Sequence, residues 1–300
     1  MEDSKPRVPE DPSCLYLGCP FWGFRPWVGS FYRAGTEARE HLQQYSSIFN
    51  AVEGNTTFYS LPSEETVKRW GEQTPSSFRF SFKFPQSITH QKQLQDVDRE
   101  TTHFLRRIAP LGERVGPIML QFPRALSPNS QDVLWRFLPR LPKDFHYAIE
   151  LRHPGFFATA RTVSNLDERL RAWRCGRVIM DTRALRSGEA SDEATREALK
   201  RKPDLPVFPG YTNYHPIIRF VAHPRQEITE PWLEQWARQL APWIQEGMGP
   251  YFFVHLPDNL HVPFLARRFH RLLSKEVELG KLPAFPCESQ EQGYSQLELF

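Results

Sequence analysis

The chain lacks several features that would narrow its class at once. No stretch of 18 apolar residues occurs, so no membrane-crossing helix is expected. Its opening, MEDSKPRVPEDPS, has no apolar core of the kind a signal peptide carries, and residues 1–13 read as a short disordered arm. Cysteine is scarce: Cys14, Cys19, Cys175 and Cys287 form no CxxC pair and no zinc-ribbon spacing, which excludes a disulfide scaffold and a zinc module. Reduced thiols in a cytoplasmic protein are the expectation. A strong charge of one sign is also missing. The formal net charge of +3 permits nucleic acid as a partner without requiring it. No internal repeat stands out.

What the chain does have is alternation. Short apolar runs, LYLGC (15–19), NAVEGN (50–55), FRFSFKF (78–84), PIMLQF (117–122), HYAIELR (146–152), RVIMDTR (177–183), PIIRFVA (216–222) and YFFVHL (251–256), are separated by helix-like segments. Those segments fall near 36–48, 63–73, 96–109, 130–138, 164–174, 231–246 and 262–276, several beginning on a capping residue such as Thr36, Ser63, Ser130 or Ser164. Strand and helix in turn, eight times, predict an α/β fold of the (β/α)8 TIM-barrel type over 14–276; a doubly wound open sheet is the alternative. Long loops at 20–35 and 184–215 interrupt the pattern. From residue 277 the composition becomes that of a linker, so 277–300 read as a flexible tail.

Parity along the strands carries the functional reading, because residues two apart share a face. In FRFSFKF the phenylalanines fill one face and Arg79, Ser81 and Lys83 the other. With the apolar face toward the helices, Lys83 points inward. The same test sends Glu53, Asn55, Gln121, Glu150, Arg152, Asp181, Arg219 and His255 inward. Ions do not stay unpaired in a dry interior, so this set is either a salt-bridged plug or a site at the C-terminal strand ends. As a site, Lys83, Arg152, Arg219, Asn55 and His153 suit an anion such as phosphate or carboxylate. Glu53, Glu150, Asp181 and His255 suit acid and base roles, with Glu150 and Asp181 interchangeable. Three inward cations oppose a bound metal, so neither a metal nor another cofactor is expected. The loop CPFWGFRPWVGSFYRAG sets aromatics beside Arg25 and Arg33, a composition that suits either base stacking or a cap buried on the body.

The runs VEGNTTFYSLP, FRFSFKFP, LQFP, ELRHPGFF, DTR and HLPDN resemble those of the YecE-like proteins, in order, over about residues 15–275. That resemblance implies a TIM barrel akin to those of the xylose isomerase and apurinic endonuclease type. The family's shared polar residues correspond to Glu53, Asn55, Lys83, Glu150, Arg152, His153, Asp181, Arg219 and His255. It brings no reaction, and the endonuclease metal ligands are not matched residue by residue. The terminal QLELF resembles the Q-L-x-L-F peptide by which bacterial replication and repair proteins dock on the DNA sliding clamp. Leu297, Leu299 and Phe300 would fill an apolar pocket and Gln296 would supply a hydrogen bond. The functional expectation is therefore a clamp-tethered hydrolase acting on nucleic acid or on a phosphate-bearing metabolite. The alternatives are a non-catalytic clamp ligand and a metabolic enzyme for a carboxylate or sugar-phosphate.

Overall fold

The computed structural model describes residues 15–190 and 192–289. Both the arm over 1–13 and the peptide Gln296, Leu297, Leu299 and Phe300 lie outside the described residues. Eight parallel strands form: β1 Tyr16–Gly18, β2 Ala51–Gly54, β3 Arg79–Phe82, β4 Ile118–Gln121, β5 Tyr147–Glu150, β6 Gly176–Asp181, β7 Ile217–Val221 and β8 Tyr251–His255. Between and after them lie α1 His41–Ser46, α2 Thr56–Tyr59, α3 Glu64–Glu72, α4 Asp98–Ile108, α5 Asp132–Phe137, α6 Ala160–Ala172, α7 Arg183–Arg186, α8 Glu193–Arg201, α9 Gln226–Gln245 and α10 Val262–Leu273. No helix among the described residues is long and apolar enough to cross a membrane.

Local chemistry sets these elements. In β3 and its flanks Phe78, Phe80, Phe82 and Phe84 are fully buried, and Trp70 of α3 stacks on Phe80 and Phe82 at 5.8 and 5.6 Å. Helix α3 starts where the Ser63 hydroxyl accepts the Thr66 N–H at 3.1 Å, with Glu64 and Glu65 in the positive first turn. Thr159, not Ser164, caps α6, by accepting the Thr162 N–H; Ser164 lies inside that helix. Phe252 of β8 lies flat on Phe269 of α10, with ring centroids 3.7 Å apart.

The hydrogen-bonded sheet corrects the expected fold. A closed (β/α)8 barrel does not form. Six strands pair in the order β1-β8-β7-β6-β5-β4, and β2-β3 make a separate two-stranded sheet. Each seam has a chemical cause. Between β1 and β2 the Asn50 side chain takes the place of ladder bonds, its Oδ1 accepting from Leu17 N at 2.9 Å and its Nδ2 donating to Leu15 O at 2.8 Å. The Tyr45 hydroxyl bridges the same seam, accepting from Cys19 N and donating to Ala51 O. Gly18 permits this approach, since a Cβ there would fall 2.1 Å from Ala51 O. At the other seam Pro117 has no N–H to donate, so β3 and β4 share only isolated bridges, Phe80 with Val115 and Lys83 with Met119. Ser81 Oγ donates to Pro117 O at 2.6 Å instead.

Packed chain runs past the 276 boundary read from composition. Phe285 is fully buried against Phe31, Phe49 and Phe264, and Arg267 covers its ring at 3.6 Å while binding Glu288. The aromatic loop is committed to the body as well. Trp27, Phe31 and Tyr32 are fully buried, and Trp27 Nε1 donates to Asn259 O and Leu260 O.

Candidate functional site

The strand ends bring one charged network together. Glu53 is in β2, Lys83 follows β3, Gln121 ends β4, Glu150 ends β5, Arg152 lies two residues beyond, Arg219 is central in β7 and His255 ends β8. All come from the face opposite the helices, because the alternate residues Phe82, Ile149, Phe220 and Val254 belong to the helix-side core. Arg219 is the hub. Its Nε and NH2 grip Glu53 at 2.7 Å each, and its NH1 reaches Glu150 Oε2 at 2.7 Å. Glu53 also meets Lys83 Nζ at 3.2 Å and His255 Nε2 at 3.0 Å. From Glu150 the chain of contacts continues to Arg152 Nε at 2.7 Å, and from Arg152 NH2 to Gln121 Oε1 at 2.9 Å.

Burial and charge fix the protonation states. Burial alone would raise the Glu53 pKa, yet Arg219, Lys83 and His255 hold it well below the usual carboxylate range. Against the same burial, Arg219, Arg152 and Lys83 hold Glu150 down at about 2. Arg219 stays charged despite burial because two carboxylates face it. Burial drives the His255 imidazole down to about 4, so it is neutral at pH 7 with Nε2–H donating to Glu53. Lys83 is pushed down to about 8 by burial and then by Arg219.

Two groups that sequence reasoning missed feel the charge of this network. Lys202, half-buried just past α8, is pushed down to about 7 by burial and then by Arg219. Arg186 holds that segment, with NH2 donating to Leu199 O and Lys202 O at 3.1 and 2.8 Å. The charged run SDEATREALKRK contains Lys202, but nothing in its local pattern separates it from its solvent-facing neighbours. His90 is lowered by burial and then by Arg152, with Glu150 opposing and Lys83 adding. Only the fold brings it there.

Three residues sit apart. Asp181 turns to the helix side of β6, where its carboxylate accepts from Trp236 Nε1 of α9 at 2.7 Å and from the Arg183 side chain at 2.8 and 3.0 Å. Strand β6 therefore has the opposite parity to that read from RVIMDTR: Val178 lies in the inner cluster and Ile179 in the outer core. Asn55 is half-buried and spends its Nδ2 on Pro20 O at 2.7 Å. His153 caps a short helical turn over 154–157, its Nδ1 accepting from Gly155 N. Among the described residues, no three His, Cys, Asp or Glu side chains form a group that could hold a metal ion.

Access is narrow. The side chains of Glu53 and Glu150 are fully covered, whereas Arg152 is 22% exposed and Lys83 8%. A groove of about 820 Å³ lies elsewhere, between α3 and α4, lined by Lys68, His103, Arg107 and neighbours of both signs.

The molecule is thus an α/β protein with parallel strands whose C-terminal ends carry a buried ion network rich in cations. Its family can be named: the chain belongs to the one described as "Protein of unknown function DUF72", whose model matches residues 16–288. It is 39% identical over 276 residues to the UPF0759 protein YecE of Escherichia coli K12, covering 92% of this chain and 98% of that protein. The UPF0759 protein YunF of Bacillus subtilis matches at 26% over 151 residues, 48% of this chain and 52% of that protein. The crystal structure of a DUF72 family protein from Thermotoga maritima superposes with a TM-score of 0.67 at 22% identity, over 87% of this chain and 99% of that one. One from Enterococcus faecalis V583 gives 0.64 at 20%, over 89% and 99%. At these identities the structural likeness establishes a shared fold.

Proposed function

We propose that this protein grips a phosphate-bearing substrate, a nucleic acid or a phosphorylated metabolite, at the C-terminal strand ends and hydrolyses its phosphoester. The observation that carries the reading is an excess of positive charge. Lys83, Arg152 and Arg219 face only Glu53 and Glu150, and Lys202 adds a fourth cation when protonated. Lys83 and Lys202 are depressed toward neutrality by burial and then by the Arg219 guanidinium, a burden that a bound anion would relieve. Lys83 and Arg152, the members that reach the surface, meet the phosphoryl oxygens. The oxygen of the attacking water bonds phosphorus and its proton passes to a phosphoryl oxygen of the substrate, while protonated Lys202 adds its charge to the grip. The ester P–O bond breaks, and the Lys83 ammonium protonates the departing oxygen. Glu53 and Glu150 are ionised and fully engaged, so their part is to hold the cations in place rather than to move protons. His255 orients Glu53. Asp181 lies outside this scheme.

A second reading, an anion-binding protein without turnover, draws on the complete pairing of both carboxylates. Calorimetric titration with sulfate, whose charge is constant over the range, tests what the two readings share. Binding is expected to weaken between about pH 6 and about pH 9 as Lys202 and Lys83 lose their protons. It should be lost in Lys83→Met and Lys202→Met variants. Absence of sulfate and phosphate binding by the unaltered protein removes both readings. Phosphate binding with no turnover of DNA, RNA or nucleotides leaves only the second.

We propose further that residues 296–300 dock on a bacterial DNA sliding clamp, which would supply a nucleic-acid context. Support comes from the sequence QLELF alone. Deleting 296–300 should abolish retention on immobilised clamp and leave the melting temperature unchanged. Undiminished retention rejects the idea.

A further inference from the structure

Beside the charged network stands an aromatic wall that the anion reading does not use. Helix α2 carries Phe58 and Tyr59. The element is fixed to the site, because Thr57 Oγ1 donates to Lys83 O at 2.7 Å and lies 3.1 Å from Gly54 O. Lys83 Nζ lies over the Phe58 ring, 6.0 Å from its centroid. Phe58 meets two rings edge-on: Tyr59 at 5.1 Å and 88°, and His90 at 5.0 Å and 87°. The charges of Arg152, Glu150 and Lys83 act on His90. Phe58, His90 and Lys83 therefore share one edge of the network, and Tyr59 extends that edge into solvent.

Tyr59 is 73% exposed, and Trp173 is the other large apolar side chain left open to solvent among the described residues. Most of the remaining aromatics are packed into the core. An exposed ring on an element pinned to a cluster of cations is a surface on which a second ring can lie. The anion's charge is met by Lys83 and Arg152, and a planar group attached to it would reach the Tyr59–Phe58 edge. Aromatic faces accept any planar ring without hydrogen-bond readout, so this wall selects for flatness rather than for a particular base.

We propose that the substrate anion is a phosphate ester bearing a planar aromatic ring, and that Tyr59 and Phe58 form its ring subsite beside Lys83 and Arg152. This rests on the anion reading above. The test is calorimetric titration of the full-length protein with inorganic phosphate, ribose 5-phosphate, phenyl phosphate and a nucleoside 5′-monophosphate. The ringed esters are expected to bind about tenfold or more tightly than inorganic phosphate, with ribose 5-phosphate close to the latter. In Tyr59→Ala, a change at an exposed position, the ratio of phenyl phosphate to inorganic phosphate affinity should fall to near one. Phe58→Leu should reduce it in the same direction. Tight phenyl phosphate without tight nucleotide supports the ring subsite and assigns it to a small aryl ester. Equal affinity for all four ligands, or an unchanged ratio in Tyr59→Ala, overturns the ring subsite while leaving the anion site standing. No binding of any of the four removes both.

Discussion

Arg219 determines whether the site can exist, because both of its glutamates are fully covered by protein. Its fork matches Glu53 bidentately and keeps one nitrogen for Glu150, an arrangement a lysine cannot reproduce. Without the guanidinium, two carboxylates would share a dry interior with Lys83 and Arg152 as remaining partners. Removing one member of a buried ion set leaves the other charges uncompensated, at a cost of about 3–5 kcal/mol. Arg219→Met should therefore lower unfolding free energy by about that amount in urea titration, and Arg219→Lys should recover only part of it. A loss below about 1 kcal/mol would mean that water already solvates Glu53 and Glu150, and that the network is not dry. Arg219 itself was legible in the sequence: a lone arginine between Ile218 and Phe220 has nowhere polar to go except the face opposite them. Lys202 was not legible, because its neighbours are charged too and its position depends on how Arg186 clasps the end of α8.

The strands show where pattern reading works and where it stops. β3, β5, β7 and β8 each have one uniformly apolar face, so parity assigns the polar residues to the other face without ambiguity. β6 reads R-V-I-M-D, aliphatic in the middle of both faces, so the charges of Arg177 and Asp181 were the only guide to orientation. Asp181 is satisfied by the indole N–H of Trp236, 55 residues away in α9, and no local signal announces that partner. The breaks in the sheet have the same character. Eight strand–helix alternations point to a closed ring, and the composition of each strand is compatible with one. Continuity fails at Asn50, whose amide substitutes for backbone bonds, and at Pro117, which has none to give. The proline can be seen in the sequence, but whether it falls on a pairing edge depends on register. Asn50 opens a run that scans as an ordinary strand start. Local alternation therefore specifies the elements and their order, and side chains at two seams decide how far the ladder extends.

Across the whole molecule, the buried titratable groups give stability a direction with pH. His255 and His215 are each pushed by burial to about 4 from an ordinary 6.5. Between those values the unfolded chain binds protons that the folded one refuses, so stability falls as pH drops from about 6.5 to about 4. Glu150, held at about 2 against an ordinary 4.5, extends the loss further down, and Glu53 acts in the same sense. The lysines act on the alkaline side. Lys202 and Lys83, at about 7 and about 8 against an ordinary 10.5, burden the folded state while protonated, so their burden is relieved as pH rises through that interval. The ligand-free protein should thus be most stable above neutrality, with a melting temperature that declines in two stages on acidification. Sulfate should shift this profile unevenly, stabilising most below about pH 7, where both lysines carry their protons, and least near about pH 9. Differential scanning calorimetry across this range, with and without sulfate, checks both arms. A His255→Gln variant should blunt the first acidic stage. A profile flat between pH 6.5 and 4 would show that these imidazoles are not held neutral. Equal sulfate stabilisation at both ends would show that Lys83 and Lys202 do not govern the anion.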